Sequence, residues 1–546
     1  MNRLLLVIGC LVALNLSSVH ARSLVFLGKS VDDWRQALNS SDASLRRSAA
    51  FALGRMGQDA QDAVPDLVSR LRDDDEKVRD MAASAIGDIA RALKSDNGDA
   101  WQQSGGWLVK ILKEDPSERV RRSTAYALGT FGPQAAGATK ALTKALADSN
   151  ASVRQNAAWA LGRIGPDDRD AVADLCKCLR DKNALVRRDA ATALGSMPKA
   201  GVRAGRPLIE LVKSESDSVV KKMALDSLAH VAGPKQADAA KDLEPLLADK
   251  DPEIRFPAAI VLARIGAESA AVALPVLQAA LKDSNNANRE LAAASLSKLR
   301  RAAKPAMNDL ASALNDESNT VPVRRNAALA ISHIGPDAEL VVPAVARALQ
   351  RTQPDEVRYY AAEALSQIRY PDNRKALPAI LDAINNDPHG EVRQKCVEAL
   401  YGMDRSEFKN SGADGVLTKL LDERNRKMAM ARYAAARKLA QVLNDEAPDK
   451  TADVLLEMYR DKDLHVYNGT NANVVGSGTE ASAGRANVNA DLGGDARFLA
   501  VRAMGWLGKK ASERKDMVKA IRQAAKDPDA NLRKTAQEVL TDLGLK

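Results

Sequence analysis

Acidic and basic residues at one fixed spacing carry the most chemical content in this 546-residue sequence. An Asp stands six residues before an Arg in Asp73/Arg79, Asp115/Arg121, Asp148/Arg154, Asp181/Arg187, Asp249/Arg255, Asp283/Arg289, Asp387/Arg393 and Asp527/Arg533, and Glu215/Lys221 keeps the same charges. A carboxylate beside a guanidinium can bind anions or move protons, yet a pair recurring at this regularity describes a structural module. Little else points to catalysis. Beyond residue 21 the histidines are His230, His333, His389 and His465, with no His-Glu pair, G-x-S-x-G elbow, Walker loop or metal-ligand cluster. Cys176 and Cys178 lie two apart and cannot face each other on a helix, and Cys396 stands alone, so neither a disulfide framework nor a zinc site is described. No catalytic residue, metal or cofactor is expected.

What positions the pairs is a helix. Residues 150–165, NASVRQNAAWALGRIG, carry Asn150 as N-cap and Gly162 and Gly165, followed by Pro166, as the stop. Val153, Ala157, Ala160, Leu161 and Ile164 share one face, while Gln155, Trp159 and Arg163 point away. Nearly the same residues recur along the chain. The Arg heading this helix appears as Arg46, Arg79, Arg121, Arg154, Arg187, Arg255, Arg289, Arg324, Arg358, Arg393, Arg432, Arg497 and Arg533, with Lys221 in the one gap, mostly at steps of 33 to 35 residues. Such a period describes a repeat array in which each unit buries its apolar face only on its neighbours. Aromatics make up 3% of the chain and hydrophobics 45%, so that core is Ala, Leu, Val and Ile, which suits thin stacked layers. The formal charge of +9 is interspersed with acids, which describes a solvated surface and not a nucleic-acid stripe.

The pattern D-x-x-x-x-V-R-x-x-A-A-x-A-L-G-x-I-G resembles HEAT repeats, in the short form of phycobilisome-lyase-like HEAT proteins, and covers nearly all of the chain after the leader. The resemblance implies an all-α fold, a right-handed superhelical solenoid of about fourteen two-helix units. It also implies that the acids and arginines form a hydrogen-bonded ladder between layers. Asp115, Arg121, Asp148, Arg154, Asp181, Arg187, Asp249, Arg255, Asp283 and Arg289 are therefore expected to staple the array.

Residues 1–21 read as a secretory leader: Arg3, an apolar run through Leu16, and Val19-His20-Ala21 as the cleavage site. The run is too short for a permanent membrane anchor, so export to a bacterial periplasm or beyond, without a transmembrane segment, is expected. Repeats fill 30–463. The period lengthens through 94–106, a polar loop holding Trp101, and through 404–415. It breaks at 464–495, a Gly- and Asn-rich insert, before 496–546 resumes and caps the stack.

Scaffold columns stay fixed along a repeat array and surface columns drift. Five residues after the Arg, on the side opposite the apolar face, stand Phe51, Tyr126 and Trp159; one turn further stand Arg55 and Arg163. In solenoids that this chain resembles, the second helix of each unit lines the concave surface. Aromatics beside Arg there have the composition of a protein- or peptide-binding hot spot, against the alternative of aromatics that merely pack on neighbouring helices. The expected function is a non-catalytic exported scaffold binding a protein or peptide. The competing readings are a HEAT-like enzyme, of phycobilin-lyase or deoxyhypusine-hydroxylase type, and a binder of polyanions or nucleic acid. The missing His-Glu pairs speak against the hydroxylase and the committed arginines against nucleic acid.

Overall fold

The structure is a computed structural model describing residues 25–165, 169–197, 202–461 and 497–545. The expected leader (1–21) and the insert (464–495) lie outside the described residues. Contacts divide the chain into two units, Met1–Val276 and Leu277–Lys546. Each is an all-α solenoid: among the described residues the only departure from helix and turn is a single bridge between Phe26 and Lys29.

The Arg-headed helices of the first unit are α1 (Ala43–Met56), α2 (Glu76–Leu93), α3 (Glu118–Thr130), α4 (Ala151–Ile164), α5 (Ala184–Gly195), α6 (Ser218–Val231) and α7 (Pro252–Ile265). Those of the second are α8 (Asn286–Leu299), α9 (Val321–Ile334), α10 (Asp355–Ile368), α11 (Gly390–Glu398), α12 (Ala429–Leu443), α13 (Arg497–Trp506) and α14 (Ala530–Asp542). Caps set their starts. Asp42, Asn150 and Asn183 accept from backbone N–H groups two residues on, and Asp75 and Asp217 accept two each, satisfying donors that the first helical turn leaves free. Gly165 ends α4 at φ 64°, a left-handed position glycine adopts without strain, and returns its N–H to the Leu161 carbonyl.

Arg-headed helices pack on partner helices, Val64–Arg70 against α2 for example, and within each unit directly on the Arg-headed helices before and after them. The buried face of α4 is Val153, Ala157, Ala158, Ala160, Leu161 and Ile164. Full burial of a residue such as Leu161 contributes about 1.5–3 kcal/mol, and only the neighbouring layers supply that burial. One column makes the approach close. A Cβ added at Gly54, Gly87, Gly129 or Gly162 would lie 2.9 Å from the Cα of Ala85, Ala127, Ala160 or Ala193 in the next layer. Glycine there gives away helix propensity to let two backbones touch.

One sequence expectation changes here. The stretch 94–106 is not a loop: apart from a short turn it belongs to Gly98–Glu114, a 17-residue helix. Its Trp101 folds back over Gly105, where a Cβ would sit 2.8 Å from the ring, and meets Phe131 edge-on at 5.3 Å. Burying that ring outweighs the poor helix propensity of Gly105 and Gly106. The extension at 404–415 contains a further short helix, Arg405–Asn410, capped by Asp404, and Gly412 at φ 73° turns the chain into the next partner helix, Ala413–Leu420. Val321–Arg347 is apolar enough, over 27 residues, to span a bilayer by composition, but Gly335 at φ 73° divides it into α9, a 3-10 turn and the short helix Val342–Arg347.

The backbone contact at Gly162 is directly testable. Gly162→Val should cost the first unit roughly 1–3 kcal/mol, because overpacking against a main-chain atom cannot be relieved by a rotamer change. Urea unfolding followed by circular dichroism should show a lower midpoint. An unchanged or higher midpoint would mean that the layers are not in backbone contact there.

Candidate functional site

The acid–base pairs are joined across layers. Arg121 donates from Nε and Nη2 to the two carboxylate oxygens of Asp148 at 2.7 and 3.0 Å, while its Nη1 donates to the carbonyls of Asp115 and Pro116 at 3.0 Å. Arg154 does the same with Asp181 at 2.7 and 3.0 Å, Arg79 with Asp115 at 2.8 and 3.2 Å, and Arg187 with Glu215 at 2.7 and 2.9 Å. The acid six residues before an Arg therefore offers it a main-chain carbonyl, and the carboxylate that neutralises that Arg belongs to the following layer. Each acid also caps its own turn, as Asp148 does by accepting from Asn150 N–H at 2.9 Å.

The other residues expected in the ladder behave differently. No side-chain pair joins Lys221 to Asp249 among the described residues. Among the described residues Asp249 and Asp283 accept only within their own turns, from Asp251 and Asn285 N–H, and Arg255 and Arg289 hold the carbonyls of Asp249 and Asp283. The bridge returns in the second unit, where Arg358 meets Asp387 at 2.7 and 3.3 Å with both side chains buried.

Of the expected binding residues, the structure joins two. Tyr126 on α3 and Trp159 on α4 stack with ring centroids 5.4 Å apart and planes 15° from parallel. Both are half-buried, where solvent exposure was expected, because a residue in this column leans on its counterpart in the next layer; Trp159 also covers Gly129, whose Cβ would strike its ring. Phe51 is 46% exposed and meets Phe26 edge-on, with α2 between its helix and the stack. Arg55 and Arg163 are exposed. Beside the stack, Arg91 lies 5.9 Å from the Tyr126 ring and 2.6 Å from Asp88. Burial raises the Asp88 carboxyl above its ordinary range despite Arg91 and Arg55, and burial likewise raises the Tyr126 hydroxyl.

The second unit holds a partly open cleft. About 430 Å³ in volume, it opens between α10, α11, α12 and α13, lined by Glu363, Lys395, Glu398, Tyr401, Arg437, Arg502 and Trp506 among others. Lys395 Nζ sits 2.7 Å from Glu363 and 3.0 Å from Glu398. Burial works against its charge, but the two carboxylates outweigh burial and hold it protonated well above the usual lysine range. Behind the wall, Lys438 is 2% exposed, its ammonium 5.5 Å from the Tyr401 ring and 5.8 Å from Phe408, and burial lowers it to about 8.

Sequence reasoning passed over this cleft although its residues occupy the surface columns. The signal lies eight residues after each Arg. That position reads Gly54, Gly87, Gly129, Gly162, Gly195, Ala229, Ala263, Ser297, Ser332, Ser366, Tyr401, Ala440, Gly505 and Thr541. Tyr401 puts a phenol where the other layers put a residue small enough for backbone contact, and it does so at the cleft.

Asp73, Asp148 and Asp181 titrate below the usual carboxylate range: burial opposes this, and the arginine and turn N–H bonds outweigh it. Glu215 is lowered chiefly by Arg187. A carboxyl whose folded pKa is depressed stabilises the fold fully above its unfolded value, about 4, and loses that contribution as pH falls through the folded value. The urea midpoint of the protein should therefore be flat near neutrality and drop below about pH 4. Asp148→Asn should lower the unfolding free energy at pH 7 by about 1–2 kcal/mol, part of the pair being screened by solvent, and the gap to the parent protein should narrow below pH 3. Equal midpoints at pH 7 would remove the ladder from the stability of the array.

A family model for HEAT repeats matches residues 31–97, 106–195, 139–229, 205–297, 241–322, 274–366, 307–401 and 342–430. No curated protein matches the sequence. Among solved structures, importin beta superposes with a TM-score of 0.51 at 13% identity, covering 94% of this chain and 77% of that one. An engineered protein superposes with a TM-score of 0.49 at 24% identity, over 62% of this chain and 98% of its own. The importin likeness concerns the fold alone. Repeat matches spanning 31–430, on a stack of Arg-headed helices tied by bridging acids, make this chain a member of the HEAT-repeat family.

Proposed function

We propose that this HEAT-repeat protein is an exported, non-catalytic scaffold of the short phycobilisome-lyase-like type, and that it holds a protein or peptide partner on the surface formed by its Arg-headed helices. The observation that carries the reading is the Tyr126–Trp159 stack. Two large aromatic faces are fixed against each other before any partner arrives, with exposed Arg163 one turn beyond Trp159. A preformed surface loses little side-chain freedom on binding, and HEAT-type solenoids offer long surfaces of this kind. Export rests on the composition of residues 1–21, and the absence of a catalytic role on the chemistry missing from the sequence.

Two measurements test the reading. Expression in a bacterium with sequencing of the mature N-terminus should locate the protein in the periplasmic or extracellular fraction, beginning after Ala21; a cytoplasmic protein retaining Met1 would remove export. Immobilised protein should capture a partner from the native envelope, and Tyr126→Ala with Trp159→Ala should reduce that capture at least tenfold. Undiminished capture by the folded double variant would count against the stack as the binding surface.

A further inference from the structure

The geometry points to the cleft between α10, α11, α12 and α13 as a docking site for an acidic peptide segment, its carboxylates held by Arg437 and Arg502 and its apolar side chains laid against Tyr401, Phe498 and Trp506. This deepens the scaffold reading by naming a second surface and the chemistry of what it takes, and it rests on that reading.

The charges of the cleft do not balance from within. Both of its carboxylates are occupied: Glu363 and Glu398 flank Lys395 at 2.7 and 3.0 Å, and they accept from Gln367 and Gln394 at 3.3 and 3.0 Å. Lys395 is thereby spent. Arg437 has no acid partner among the described residues, and its Nε is buried with no acceptor. Arg502 is exposed, also without an acid partner among the described residues, and lies over the Phe498 ring at 5.6 Å. Two forked donors facing one cleft, neither neutralised, match the planar carboxylate of Asp or Glu. A buried donor lacking an acceptor is costly in a folded protein, so a ligand that supplies one is favoured.

The shape agrees with the charge. Tyr401 replaces the Gly, Ala or Ser that stands in the contact column elsewhere, and on the other side of the cleft α12, whose own column residue is Ala440, touches α13 less extensively than other consecutive pairs of this unit touch. The resulting space, about 430 Å³, suits a few side chains of an extended segment. A uniform polyanion fits less well. Glu363 and Glu398 on the wall would repel one, whereas a peptide can set isolated carboxylates on the arginines and apolar groups on the rings. Exposed Gln441 at the edge can serve its main chain.

The test uses the full-length protein and fluorescein-labelled peptides of alternating Glu and Leu, with a Gln-for-Glu copy and a C-terminally amidated copy, read by anisotropy. The Glu peptide should bind at least tenfold tighter than the Gln copy, and amidation should leave its affinity unchanged, placing recognition on side-chain carboxylates. Arg437→Gln and Arg502→Gln should each weaken the Glu peptide about tenfold while the circular-dichroism melting curve stays unchanged, and Arg437→Lys should recover only part. Trp159→Ala, in the other unit, should have no effect; if envelope capture is lost from the stack variants while cleft binding persists, or the reverse, the two readings separate. Absent binding, equal affinity for Glu and Gln peptides, or indifference to both arginine variants would overturn the proposal. So would Arg437-dependent retention of heparin at physiological salt, which would give the cleft to a polyanion.

Discussion

Each bridging arginine of the first unit, Arg46, Arg79, Arg121, Arg154 and Arg187, holds two layers at once. From Arg121, one nitrogen reaches back to the turn of its own layer through the Asp115 and Pro116 carbonyls, and two others reach forward to the carboxylate of Asp148. Asp148 in turn fixes its own turn through the Asn150 N–H, and that turn presents the carbonyls that Arg154 needs. The bond that attaches one layer therefore shapes the socket for the next. Arrays whose units cannot bury their own apolar faces depend on such nearest-neighbour terms. The partly buried, bidentate geometry is what gives these pairs more weight than ordinary surface ion pairs, which contribute little.

Backbone contact between successive Arg-headed helices is the complementary constraint. The Gly column brings α1 to α5 within reach of the next layer's Ala or Ser, so the seam between successive Arg-headed helices consists of small residues and the polar ladder is carried on the turns beside it. In the second unit Ser297, Ser332 and Ser366 take that column. Each turns its hydroxyl back to a carbonyl of its own helix, which keeps the contact free of an unpaired donor. Tyr401 departs from this rule and a cleft stands beside it. The two surfaces proposed to bind differ in origin: large side chains in the surface columns form one, at Tyr126 and Trp159, and looser packing of α12 on α13 opens the other.

The fold was largely legible in the chain itself. Asn150, Asp42 and Gly165 mark helix ends because capping depends on residues a turn apart, and the apolar face of α4 follows from helical spacing alone. The ladder was implied only by the resemblance to HEAT repeats, and the structure forms it at Arg121 and Asp148 but not at Asp249 and Asp283, whose carboxylates accept from their own turns. The loop expected at 94–106, on the strength of Gly105 and Gly106, is instead mostly helix; Trp101 packing over Gly105 and onto Phe131 supplies burial that local propensity does not describe.

Sequence by itself determined the helix pairs, their order, their stacking as HEAT repeats and the residues available for bridging, because each of these is written within one period or its immediate neighbour. Tertiary structure alone decided which carboxylate serves which arginine, that Tyr126 and Trp159 lean on each other instead of standing free in solvent, and that Arg437 and Arg502 share a cleft. Those relations join residues on different layers, with the intervening sequence silent about the distance between them. Contact there is set by how closely two backbones can approach, a quantity no single repeat contains.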